Sequence, residues 1–109
     1  MTLVWGDNAN HTVAASGDLD FAVEGNPDLT CFTFAKVSGG NLTGITVRRS
    51  LDGGTTWGGV RTIASGLPLS TAGDAIDIDL EDELVTNVRF GLVVSASTVL
   101  HITGRASKR

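Results

Sequence analysis

The chain has no tyrosine, one cysteine, two prolines and only 6% aromatic residues among its 109. Each scarcity excludes something. A lone cysteine, Cys31, cannot close an internal disulfide, so this is not a disulfide-stapled scaffold. Two prolines against fourteen glycines rule out a Pro-rich linker and fit a fold with many tight turns. Without tyrosine, and with few cations, there is no aromatic platform on which single-stranded nucleic acid would stack. No apolar run is long enough for a membrane-spanning helix, so no membrane contact is expected. Met1-Thr2-Leu3-Val4-Trp5-Gly6-Asp7 lacks the positive start and apolar stretch of a secretory signal, and synthesis in a reducing cytoplasm is expected. In that setting Asn10-His11-Thr12 and Asn41-Leu42-Thr43 are chance matches to the glycosylation pattern.

Charge is sparse and uneven. Charged residues make up 18% of the chain and the net charge is −4, which argues against specific nucleic-acid binding. The C-terminus runs the other way, with Arg105, Lys108 and Arg109 close together. That end reads either as a contact for phosphate or an acidic protein surface, or as a frayed, solvated tail.

What the sequence has in abundance is a period of two. In Asp18-Leu19-Asp20-Phe21-Ala22-Val23-Glu24 the apolar Leu19, Phe21 and Val23 alternate with acids. Ala75-Ile76-Asp77-Ile78-Asp79-Leu80-Glu81 repeats the scheme, and Val88, Phe90, Leu92 and Val94 alternate around Arg89. Such alternation puts one set of side chains in a core and the other in water. Further β-branched runs cover Thr2–Trp5, His11–Ala15, Leu29–Val37, Leu42–Arg49, Val60–Ala64 and Thr98–Arg105. Turn residues separate them, including Gly6-Asp7-Asn8, Gly25-Asn26-Pro27-Asp28 and Asp52-Gly53-Gly54. Strands punctuated about every ten residues predict an all-β chain: a single β-sandwich or jelly-roll-like domain, residues 1–109, of about eight short strands. Ser65–Asp74 is the expected crossover between sheets, and Asp82–Asn87 has room for one helical turn. Cys31, inside Leu29-Thr30-Cys31-Phe32-Thr33-Phe34, is expected to be a small buried residue.

Little in the chain points to catalysis. His11 and His101 lie inside strand candidates, no nucleophile elbow is present, and no Cys/His cluster or phosphate-cradling loop occurs. No enzyme activity, cofactor or metal is expected. The acidic group Asp74, Asp77, Asp79, Glu81, Asp82 and Glu83 reads as a solvated strand face, with a patch for a basic partner or a metal site as the alternatives. Carboxylates about 7 Å apart along a strand do not converge on a calcium ion, which takes about six to eight oxygens.

The most specific motif is Ser50-Leu51-Asp52-Gly53-Gly54-Thr55-Thr56-Trp57, an Asp-box pattern. Physically it is a hairpin device: Asp52 accepts backbone N–H groups across the turn, glycines such as Gly54 reach positive φ, Thr56 closes the loop, and Trp57 covers the base. Sialidase-type propellers repeat this box blade after blade, but a chain this short cannot build a propeller. Were Trp57 exposed, it would offer a stacking surface for a sugar.

Gly44-Ile45-Thr46-Val47-Arg48-Arg49-Ser50-Leu51-Asp52-Gly53-Gly54-Thr55-Thr56-Trp57, followed by Arg89 and a last turn at Ser95-Ala96-Ser97-Thr98, resembles small virion proteins of tailed bacteriophages. Related sequences often carry Tyr-Arg where this one has Val88-Arg89. The resemblance spans roughly Leu42 to Arg105. It implies a β-sandwich structural protein of the virion, synthesised in the host cytoplasm, of the capsid decoration (cement) type. Its implied partners are the major capsid protein or other virion proteins and further copies of itself, with a trimer as one expected homo-oligomer. A tail or head–tail connector protein, or a carbohydrate- or receptor-binding module, are the alternatives. Independently of the resemblance, lightly charged strands at Thr2–Trp5 and Thr98–Thr103 are candidates for strand addition. Leu3 and Trp5, with Arg105, Lys108 and Arg109, are the candidate partner contacts.

Overall fold

A computed structural model describes residues 2–63, 65–80 and 85–108. Eight strands follow one another: β1 (Thr2–Val13), β2 (Gly17–Ala22), β3 (Leu29–Gly39), β4 (Leu42–Ser50), β5 (Arg61–Ile63), β6 (Ala75–Asp79), β7 (Asn87–Val94) and β8 (Thr98–Lys108). They form two four-stranded sheets, ordered β1-β8-β3-β6 and β2-β7-β4-β5. Every pairing is antiparallel. The chain passes repeatedly from one sheet to the other, which is the winding of a jelly roll.

The alternation places Phe21, Ile76, Ile78, Val88, Phe90 and Leu92 in the core as expected. Phe32 and Phe34 of β3 and Leu100 and Ile102 of β8 join them and are fully buried. Phe90 meets Phe32 and Phe34 edge-to-face, with ring centroids 4.8 Å away in each case, a favoured geometry for aromatic quadrupoles. These contacts join the inner faces of the two sheets. The segment after β5 leads from the second sheet to β6 in the first. It is held by Leu69, which is buried and exchanges backbone hydrogen bonds with Leu42 at 2.9 and 3.1 Å. Asp74 caps the same segment, accepting the N–H groups of Ser70 and Thr71 at 3.1 and 2.9 Å.

Three expectations are corrected. Gly6-Asp7-Asn8 is not a turn: β1 runs through it without a break, paired to β8 as Gly6↔Arg105, Asp7↔Gly104 and Asn8↔Thr103. Local turn preference is weak, and a continuous ladder with β8 overrides it. Gly104 makes this close approach feasible, since a Cβ there would stand 2.8 Å from the Trp5 ring and 2.6 Å from Phe32. Second, Cys31 is exposed. Thr30, Phe32 and Phe34 take the inward positions of β3, so the intervening residue must face out. Third, Thr98–Thr103 lies in β8, which is flanked by β1 and β3, and an interior strand has no free edge to offer. Of the expected helical turn at Asp82–Asn87, residues 82–84 lie outside the described residues, while Val85 and Thr86 are not helical and Asn87 already belongs to β7.

Lys36 was not singled out by the sequence pattern. It is buried on β3, beside a register shift between Lys36 and Ser38. Its ammonium donates to the Ser70 carbonyl at 2.7 Å and lies 3.5 Å from Asn41 Oδ1. A buried ammonium requires such acceptors.

Candidate interaction surfaces

The Asp box forms the connection between β4 and β5. Ser50 is 1% exposed, and its hydroxyl donates to Asp52 Oδ1 at 2.8 Å while accepting the Gly54 N–H at 2.9 Å. Asp52 Oδ1 also accepts the Thr56 N–H at 2.8 Å. These bonds favour the ionised carboxylate, the Thr56 backbone most of all, and hold Asp52 below the usual aspartate range. Gly53 and Gly54 have φ of 77° and 91°, a region that side chains resist. Thr86, which the sequence did not flag, ties the loop to the β7 side: its hydroxyl donates to the Ser50 carbonyl at 3.2 Å and accepts the Gly53 N–H at 2.9 Å.

Trp57 bridges back to Ser50 and is half-buried. The Arg89 guanidinium lies 4.2 Å from its ring centroid. Arg89 also clamps Asp20 with two bonds of 2.8 and 2.9 Å. Those bonds lower the Asp20 carboxyl and raise the guanidinium. The clamp has a local purpose: Arg89 stands directly opposite Arg48 across β7 and β4, and like charges facing each other are unfavourable. Arg48 turns its Nε to the Gly58 carbonyl at 2.9 Å, and Arg89 turns to Asp20 and Trp57. Trp57 also lines a hollow of about 290 Å³ with Arg49, Leu51, Asp52, Thr56 and Gly58.

The outer face of the first sheet is polar. One row crosses it from edge to edge as Asn8, Thr103, Thr33 and Asp77. Thr103 Oγ1 donates to Asn8 Oδ1 at 3.2 Å, and Thr33 Oγ1 to Asp77 Oδ1 at 2.7 Å. His101 sits between Asn10 and Asn8, with Nδ1 2.6 Å from Asn10 Oδ1 and Nε2 2.5 Å from Asn8 Oδ1. His11 instead meets Phe21 edge-on at 5.8 Å. The two histidines therefore serve different faces of the sheet. The neighbouring row runs Gly6, Arg105, Cys31 and Asp79. Desolvation first, then Asp79 and Asp77, push the Cys31 thiol up against the opposing pull of Arg105, which disfavours the reactive thiolate.

The candidate partner contacts separate into distinct settings. Leu3 is 56% exposed and shares a hollow of about 180 Å³ with Gly6, Asn8 and Arg105. Trp5 turns inward against Phe21 and Phe32, with centroids at 6.3 and 5.8 Å. Arg105 and Lys108 are exposed on β8, and Arg109 lies outside the described residues. Asp77 and Asp79 are exposed on β6; Glu81, Asp82 and Glu83 also lie outside. Among the described residues no group of three or more His, Cys, Asp or Glu is placed to hold a metal ion.

No family model matches the chain, and no curated protein does. Among solved structures, the fold is similar to a chain from Bacillus endospore appendages, which form a family of disulfide-linked pili. The TM-score is 0.50 at 20% identity, over 99% of this chain and 90% of that one. A chain of the infectious bursal disease virus Gx strain is matched at a TM-score of 0.43 and 15% identity, over 94% of this chain and 31% of that one.

Proposed function

We propose that the protein is a non-enzymatic structural module of a larger assembly, and specifically a capsid decoration protein of a phage virion. The observation that carries the assembly reading is the contrast among its four sheet edges. β2 is guarded by Asp18 and Asp20, β5 is three residues long, and β6 carries Asp77 and Asp79. β1 is twelve residues long with Asp7 as its one acid. Proteins normally blunt such edges, and an unguarded one suits pairing with another chain. The virion setting rests on the resemblance around the Asp box and Arg89. Co-sedimentation with shells that lack the protein tests it: binding to shells supports decoration, and binding only to tails moves the protein to the tail.

A second reading, a pilus-type appendage subunit, is favoured by the whole-length likeness to the endospore appendage chain. Cys31 is the one thiol that could join copies, and a single thiol joins only two. Electrophoresis without reductant after mild oxidation distinguishes the readings: a Cys31-dependent dimer favours the appendage, its absence the virion.

A further inference from the structure

We infer that the two edges of the first sheet are complementary to each other, so that a second copy docks its β6 along the free edge of β1 and continues the sheet head to tail. The inference deepens the assembly reading and rests on it. Strand direction permits the contact. β1, β8, β3 and β6 alternate in direction, so a copy displaced sideways presents its β6 antiparallel to β1. An even number of alternating strands always allows this.

Chemistry then selects the register. The sheet is polarised from side to side, with Arg105 and Lys108 beside β1 and Asp77 and Asp79 on β6. The one acid of β1, Asp7, stands opposite Gly104 and accepts the Asn8 N–H at 2.9 Å. Continuing the existing rows without a shift sets Asn8 opposite Asp77 of the second copy and Gly6 opposite its Asp79. Asn8 turns Oδ1 to His101 and Thr103, and its Nδ2 donor meets no acceptor among the described residues. The incoming Asp77 has an oxygen to spare, because Thr33 takes only Oδ1. At the next row Gly6 has no side chain, so the Arg105 stem can pass over it to the incoming Asp79. Both span two strand spacings, about 10 Å; within the molecule Cys31 stands in that path, and across Gly6 nothing does. Arg105 makes no ion pair among the described residues, and the hollow over Gly6 marks the open path. Because the two surfaces differ, the contact is heterologous and builds rings or filaments.

Charge exchange tests the contact. Arg105 and Asp79 are both exposed, so Arg105→Glu and Asp79→Arg should leave the thermal midpoint unchanged. Sedimentation velocity of the wild-type chain should show association that grows with concentration and weakens with salt. Each variant alone should associate at least about tenfold more weakly. The equimolar mixture of the two, and the double variant R105E/D79R, should recover association, since every contact again pairs opposite charges. A wild-type chain that stays monomeric at millimolar concentration overturns the inference. So does a loss in R105E that neither mixing nor the double variant restores. Shell binding is read separately: a monomer that binds shells overturns the edge contact and leaves the virion reading standing, and self-association without shell binding does the reverse.

Discussion

The Asp-box hairpin and the β1 edge treat their polar groups in opposite ways. In the hairpin nearly every donor is answered from within: Ser50, Asp52, Thr86 and the N–H groups of Gly53, Gly54 and Thr56 close on one another. Along β1 the side chains of Asn8 and Asn10 are answered on the β8 side, through His101 and Thr103. Asp7 accepts the Asn8 N–H of its own strand, and the other side of β1 has no strand beside it. A region that satisfies itself adds stability and offers little to a partner. A region left half-satisfied contributes less to folding and keeps its directional groups for binding.

Substitutions should separate the two regions by size and kind of effect. The largest loss is expected at Trp57→Ala, about 2–3 kcal/mol by chemical denaturation, somewhat under the figure for a fully buried aromatic because the ring is half-exposed. A loss below about 1 kcal/mol would mean that the ring does not brace the hairpin. Ser50→Ala should follow at about 1–3 kcal/mol, the cost of orphaning the groups its buried hydroxyl serves. If it proves neutral, the network around Asp52 holds without it.

Asp20→Asn should cost about 0.2–1 kcal/mol near neutral pH, the scale of an exposed ion pair. Asp20 and Asp52 both have depressed folded values. The stability they add is therefore present above the ordinary aspartate value of 3.8 and is lost as pH falls below it through the folded values. Thermal melts between pH 5 and 3 should show a shallower loss in the Asn variant than in the wild type; parallel curves would remove Asp20 from the acid response. At the β1 edge, Leu3→Ser should stay within about ±0.5 kcal/mol of the wild type in stability. A larger loss would show that the edge supports the fold much as the hairpin does. Smallest of all, calcium and chelator should leave the melting temperature where it is, since a row of carboxylates along β6 is not a cage. A midpoint that climbs with millimolar calcium would contradict this through linkage.

Much of the molecule was legible as alternation. Which side of a strand Phe21, Ile76, Ile78, Val88 and Phe90 occupy follows from a period of two and from nothing distant, because successive side chains of an extended chain must point opposite ways. The β4–β5 turn was equally local, since the residues that close it lie within a few positions of Asp52. Tertiary structure alone decided the rest. Gly6-Asp7-Asn8 became strand because β8, nearly a hundred residues away, supplied an unbroken ladder. Cys31 went outward because Phe32 and Phe34 claimed the inward positions. Thr98–Thr103 lost its edge because β1 and β3 closed on both flanks. Arg89 found Trp57 on the β4–β5 connection and Asp20 on β2, and Lys36 went inward where the crossover brought the Ser70 carbonyl to it. Periodicity states which way a side chain points; only the order of strands in the sheet states what stands there to meet it.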